Sequence, residues 1–399
     1  MLNRILKTIA CVGIAAIIFG CTTDSELKHY KDYISKDSFL IDYTNNSYQT
    51  VRLKDKILNA KTQGLTIVQL GDSHTAADVM TMYLRNRLRE YLGTGALGFI
   101  DPINVPGQYN SLIGYTKKNV SLINSRTQKN YDYALGGIIA SFNSKGSIEY
   151  RGINGNNIPL SDLNLITRCT GTRTCTVTIS SNLGTSTLSI NSSSWRNYSI
   201  FVEGNFRISA NNNLEIGGLF INNESNGVTV SSLGSNGATI YHLNTWNPNW
   251  LNELAALKPD LVILAYGTNE SYNASYDSKT YIADYSKLIQ NIRNKTQAQV
   301  MILSNPDSLN LNINKSLVNS TCDAQQHQGV DIVYRDLLTI AKKNNTLFWD
   351  WRHAMGGKCS AQKMMQEQLM RNDGVHFSAK GYSLFGYQLA KDIVSLANK

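Results

Sequence analysis

Three residues near opposite ends of the chain could together carry out nucleophilic catalysis. Ser73 stands in Gly71-Asp72-Ser73-His74, directly after the apolar run Leu65 to Leu70. Asp373 and His376 share the short segment Asn372-Asp373-Gly374-Val375-His376-Phe377. A serine hydroxyl attacks poorly at neutral pH unless a base takes its proton, and the base needs an acceptor that fixes its tautomer. An aspartate and a histidine this close can bond directly, Asp373 to Nδ1, leaving Nε2 for Ser73. The chemistry would be acyl transfer through an ester on the serine. Each signal alone is weak, since an Asp-Ser pair after a strand is usually a helix cap and Asp-x-x-His is common by chance.

What gives the residues weight is the set of elements that must position them. Leu65-Thr-Ile-Val-Gln-Leu70 reads as a buried parallel strand opening into a loop and a helix from Ala76 to about Leu92. Further strands are expected at Val228 to Leu233, Leu261 to Ala265, Val300 to Leu303 and Leu347 to Trp349. Helical patterns lie at Tyr281 to Arg293, Ile332 to Ala341 and Tyr382 to Leu396. Alternation of strand and helix, with polar residues just after the strands, is the pattern of a doubly wound parallel sheet that binds ligands at its C-terminal edge.

This pattern is interrupted. From about Tyr115 to Asn223 the chain is rich in Ser, Thr, Asn and Gly, with short alternating runs such as Cys175 to Ile179, Ser186 to Ile190 and Tyr198 to Val202. Such texture predicts an antiparallel β sandwich inserted over 102–224, leaving an α/β domain at 61–101 and 225–399. Within the insertion, Tyr131, Tyr133, Trp195 and Tyr198 are candidates for stacking on sugars, although aromatics in a sandwich more often fill its core. Residues 22–60 form a partly helical lead-in, with Val51, Leu53, Ile57 and Leu58 near helical spacing.

Residues 1–20 read as a secretory signal: Arg4 and Lys7, then an apolar run from Ile9 to Phe19 too short to span a membrane. The run ends at Cys21, where a bacterial lipobox would place an acylated cysteine, so export and possible membrane anchoring through Cys21 are both expected. Four cysteines remain for the folded part, and closeness in sequence favours Cys169 with Cys175 and Cys322 with Cys359 among three possible pairings. The formal net charge of +9 falls to about +7 without Arg4 and Lys7. That balance suits an anionic polymer such as a cell wall. The basic residues are scattered rather than massed in one run, which argues against nucleic acid. No metal or other cofactor is expected, because the acids and histidines show no three-ligand pattern.

Four blocks in order closely resemble those of the SGNH/GDSL hydrolase superfamily: Gly71-Asp72-Ser73-His74, the turn Leu233 to Ala238, Gly267-Thr268-Asn269-Glu270, and Asp373-Gly-Val-His376. The resemblance implies a three-layer α/β/α hydrolase with Ser73, His376 and Asp373 as its triad. It also implies an oxyanion hole from the Ser73 and Gly237 backbone N–H groups and the Asn269 side chain, with Gly234 as a competitor in the second turn. Asp72 would brace the nucleophile's loop, and His74 would be a wall of the pocket or, as the rarer alternative, a metal ligand beside Asp72. The Gly-Asp-Ser-His-Thr start, the β insertion and the export signal resemble the peptidoglycan O-acetylesterase branch. There the inserted module is related to carbohydrate-binding modules, the substrate is the 6-O-acetyl group of muramoyl residues, and the enzyme works in the periplasm. Rival expectations are an esterase for another acetylated polysaccharide or a lipid, and a carbohydrate-binding envelope protein without activity.

Overall fold

The computed structural model describes residues 37–171, 174–223, 226–311 and 321–398. The proposed signal and Cys21 lie outside the described residues. Six strands form the main sheet in the order 40–42, 347–349, 299–303, 261–265, 65–71, 228–234. Five run parallel. Their apolar residues face both ways, and separate helix layers cover the two faces. One layer brings Leu84, Leu88, Phe385 and Leu389 onto Ile67, Ile263 and Met301; the other brings Tyr285, Ile289, Val333 and Leu337 onto Val68, Val262 and Ile302. Burial on both faces is why these strands read as continuous apolar runs rather than alternating ones.

The sixth strand, Leu40–Asp42, pairs antiparallel with Leu347–Trp349 and closes that edge of the sheet. Three residues are too few to show alternation, so this strand has no signal in the sequence. In the lead-in helix Tyr48–Leu58, capped by the Ser47 side chain, only Leu53 and Ile57 of the four expected apolar residues are buried. Val51 is 55% and Leu58 64% exposed.

The helix expected from Ala76 is broken in two, Ser73–Ala76 and Val79–Leu92. Asp78 between them has a left-handed backbone, φ 47°. Its buried carboxylate accepts from Ser111 N at 2.8 Å and Ser111 Oγ at 2.6 Å, and from Arg85 Nη2 at 3.2 Å. The break therefore ties the nucleophile's helix to a loop thirty-three positions away.

The inserted segment folds as two antiparallel sheets, ordered 184–190, 175–181, 206–210, 146–152, 113–118 and 196–202, 161–169, 214–222, 138–142, 121–124. Phe142, Ile148, Tyr150, Leu165, Phe206 and Ile208 pack between them. Gly98–Ile100 joins the second sheet by pairing with Leu219 to Ile221, a few residues before the expected start of the insertion. The same stretch is fastened to the edge of the main sheet, because Phe99 N donates to Ser231 Oγ at 2.9 Å and Ala96 N to Thr229 Oγ1 at 2.9 Å. Of the four aromatics singled out, Tyr133 and Trp195 are buried, whereas Tyr131 and Tyr198 are part-buried. Disulfides join Cys169 to Cys175 and Cys322 to Cys359.

Candidate active site

The Leu65–Gly71 strand ends where it can turn most sharply. A Cβ on Gly71 would lie 2.2 Å from Thr75 Oγ1 and 2.8 Å from Ala265 O, so no other residue allows the chain to fold back this tightly. Asp72 follows as the cap of the one-turn helix Ser73–Ala76, its carboxylate accepting from His74 N at 2.9 Å. Burial raises Asp72 to about 6, against the pull of hydrogen bonds from His74 N and the Thr268 side chain. Asp72 thus braces the turn and links it to the neighbouring Gly267–Glu270 loop, while Ser73 is left half-exposed at the sheet's C-terminal edge.

At the far end of the chain, residues 371–376 form a tight loop. Arg371 N donates to His376 O at 2.7 Å, and Gly374 takes φ 72° beside Leu309. Asp373 Oδ1 accepts from Val375 N at 2.9 Å and His376 N at 2.8 Å, and its Oδ2 lies 2.9 Å from His376 Nδ1. Burial would raise the Asp373 carboxyl, but the bonds from the His376 side chain and the two backbone N–H groups hold it down to about 2. An ionised carboxylate can only accept, so Nδ1 carries the imidazole proton and Nε2 presents its lone pair. That Nε2 lies 2.9 Å from Ser73 Oγ.

Two turns adjoin the serine. Gly234 closes the Val228–Gly234 strand, where a Cβ would lie 2.1 Å from Ala76 N and 2.5 Å from Thr75 C. Its role is close packing under the nucleophile's helix. Gly237 has φ 68°, and the nearest atom to a Cβ there is Arg126 Nη2 at 2.9 Å. Among the described residues, the backbone N–H groups of Ser73 and Gly237 have no hydrogen-bond partner. Asn269 Nδ2 donates to Ala238 O at 2.8 Å, which anchors the amide beside Gly237 and leaves its second hydrogen available. Glu270, whose part the sequence reading left open, holds these turns together: its buried carboxylate accepts from Ile240 N at 2.9 Å and Gly267 N at 3.0 Å. Burial raises it to about 7.

His74 lies behind the serine rather than in the open pocket. It is buried, with Nδ1 2.9 Å from Tyr382 Oη and its ring 5.4 Å from the His376 ring and 5.2 Å from Trp351. Burial, then the nearby His376, push its pKa down to about 3, so it stays neutral and places no second cation behind His376. Tyr382 and Trp351, which support it, carry no short motif and escaped the sequence reading. The Asp72 carboxylate bonds to His74 N and the Thr268 side chain, whereas the His74 ring bonds to Tyr382.

This arrangement can be set beside known proteins. The GDSL-like Lipase/Acylhydrolase family matches residues 217–384, and the family described as peptidoglycan O-acetylesterase, N-terminal, matches residues 95–207. Ser73 precedes both matches. No curated protein sequence matches the chain. Among solved structures, one titled as a peptidoglycan O-acetylesterase in action is 31% identical, with a TM-score of 0.81, covering 90% of this chain and 99% of that one. A Bacillus subtilis protein is 12% identical with a TM-score of 0.35, covering 74% and 97%. A family two carbohydrate esterase from Cellvibrio japonicus is 10% identical with a TM-score of 0.27, covering 72% and 99%. The last two carry no weight beside the first. An identity of 31% over nearly the full length of both chains means that this chain belongs to the peptidoglycan O-acetylesterase family of GDSL-like acylhydrolases.

Proposed function

We propose that the chain is a serine esterase that removes 6-O-acetyl groups from the muramoyl residues of peptidoglycan. The observation that carries the chemistry is the continuous relay from Ser73 Oγ through His376 to Asp373, with both contacts at 2.9 Å. His376 Nε2 takes the hydroxyl proton as Ser73 Oγ attacks the acetyl carbonyl, and Asp373 stabilises the imidazolium through Nδ1–H. The Ser73 and Gly237 N–H groups and the Asn269 amide hold the oxyanion, where fixed donors count most because charge develops there. Collapse breaks the bond to the sugar oxygen, which takes the proton from His376. Water, deprotonated by the same imidazole, then attacks the acetyl-serine, giving acetate and the free enzyme.

Membership of the family supports peptidoglycan as the substrate and a place of work outside the cytoplasm. In this reading the hydrolase part comprises 61–101 and 225–399, and the β module over 102–224 presents the glycan strand to it. The signal over 1–20 directs export to the periplasm, and a lipid on Cys21 tethers the enzyme to the envelope membrane. Acetate release from purified O-acetylated peptidoglycan, beside an acetylated plant polysaccharide and with Ser73→Ala as blank, tests the proposal. Release from peptidoglycan that vanishes in the variant is the expected result. Release from the plant polysaccharide alone would keep the chemistry and overturn the substrate.

A further inference from the structure

The loop Asn124–Gln128 of the β module reaches across to the second oxyanion turn, and several bonds fix it there. Arg126 N, Thr127 N and Gln128 N all bond back to Asn124. Ser125 N donates to Gly137 O, and Ser125 Oγ lies 3.0 Å from His242 Nε2 in the helical turn that follows Gly237. The guanidinium of Arg126 ends against Gly237, with Nη2 2.9 Å and Cζ 3.7 Å from where a Cβ would sit. It therefore borders the turn on its side-chain side and does not replace the N–H donor. Lys129 follows on the same loop. Its charge and that of Arg126 both act on His242, which burial chiefly, and then these two cations, push down to about 4.

Among the described residues, neither Arg126 nor Lys129 lies within 4.0 Å of an acidic group. A half-buried guanidinium without a carboxylate partner, held by a pinned loop at the rim of a catalytic site, is poised for an anion that arrives with the substrate.

We infer that Arg126, assisted by Lys129, forms a subsite for a carboxylate of the substrate, so that the β module selects acidic acetyl-sugars for the hydrolase part. The inference rests on the peptidoglycan reading, because muramoyl residues differ from plain N-acetylglucosamine by a lactyl carboxyl group, free or extended by a peptide that carries carboxylates of its own.

The test compares kcat and KM for 6-O-acetyl-N-acetylmuramic acid and its lactyl amide, and for an acetylated muramoyl peptide with free or amidated carboxylates. The wild type is expected to favour the charged member of at least one pair by about tenfold to a hundredfold in kcat/KM, the range of a charge-assisted hydrogen bond. The pair that shows the preference identifies the source of the carboxylate. Arg126→Ala should collapse that ratio, mainly through KM of the charged ester, and Arg126→Lys should keep part of it, which also controls for misfolding. A ratio near one in the wild type for both pairs would overturn the inference. So would an equal loss on 4-nitrophenyl acetate and on the charged sugar in Arg126→Ala, since that places the guanidinium in oxyanion stabilisation. A wild type that hydrolyses 4-nitrophenyl acetate and no muramoyl ester would overturn the peptidoglycan reading itself, and the subsite with it.

Discussion

At two of the places where the β module meets the hydrolase part, an arginine is used to opposite effect. In one, Arg168 is buried and fully matched: Nη2 lies 2.7 Å from Glu215, Nη1 bonds Asp132, and the guanidinium stacks 4.3 Å from Trp195. Glu215 also accepts from Tyr131, and Asp132 continues the network to Asn247 of the hydrolase part. In the other, Arg126 and the N–H groups of Ser73 and Gly237 keep donors that no group among the described residues uses, at the rim of the serine. A polar cluster that satisfies itself fixes geometry; one that does not is ready for a ligand.

The contrast can be broken most forcefully at Arg168. Arg168→Ala should lower unfolding free energy by about 3–5 kcal/mol, because it strands the buried Glu215 carboxylate. Its preference between charged and neutral esters should stay that of the wild type. Urea titration reads the first quantity, and a shift in selectivity without loss of stability would erase the distinction between the two regions. On the open side, Asn269→Ala should cut kcat by about 10²–10³-fold through loss of one oxyanion donor. Its stability change should be about 1 kcal/mol, for the single bond to Ala238.

Smaller effects sharpen the picture. Replacing Cys169 and Cys175 by serine opens a loop of sequence separation 6, worth about 2 kcal/mol by loop-closure entropy. Hydrolysis of 4-nitrophenyl acetate should survive, since the bond lies in the module. Smallest is a pH effect at Asp373, whose carboxyl is about a quarter exposed. Its native pKa, about 2, lies below the ordinary 3.8, so the native state holds the carboxylate more favourably than the unfolded chain does. That stabilisation is present above the ordinary value and is lost as pH falls from about 4 towards 2. Thermal midpoints between pH 5 and pH 3 should therefore decline more steeply in the wild type than in Asp373→Asn.

Much of the site was legible because its pieces sit at strand ends with short local motifs. Ser73 follows an apolar run, and Asp373 and His376 are near neighbours on one loop, so their joint geometry needs little tertiary information. Choosing between Gly234 and Gly237 did need it: both are turn glycines by sequence, and only the Ala76 backbone N, 2.1 Å from where a Cβ on Gly234 would sit, separates packing from an open N–H. The break at Asp78 was hidden for the same reason, since its cause is Ser111, far along the chain. Arg126 carries no motif at all, and its meaning arises only when a module loop lands on Gly237. The antiparallel edge strand Leu40–Asp42 is too short to announce itself by periodicity.

Whether Ser73 carries the acyl group is read by quenching the enzyme within its first turnovers on O-acetylated peptidoglycan and mapping acetylation by peptide mass spectrometry. An acetyl group on Ser73 is expected in the wild type, with none in Ser73→Ala. Steady acetate release with Ser73 never acetylated, or undiminished release by Ser73→Ala, would contradict it.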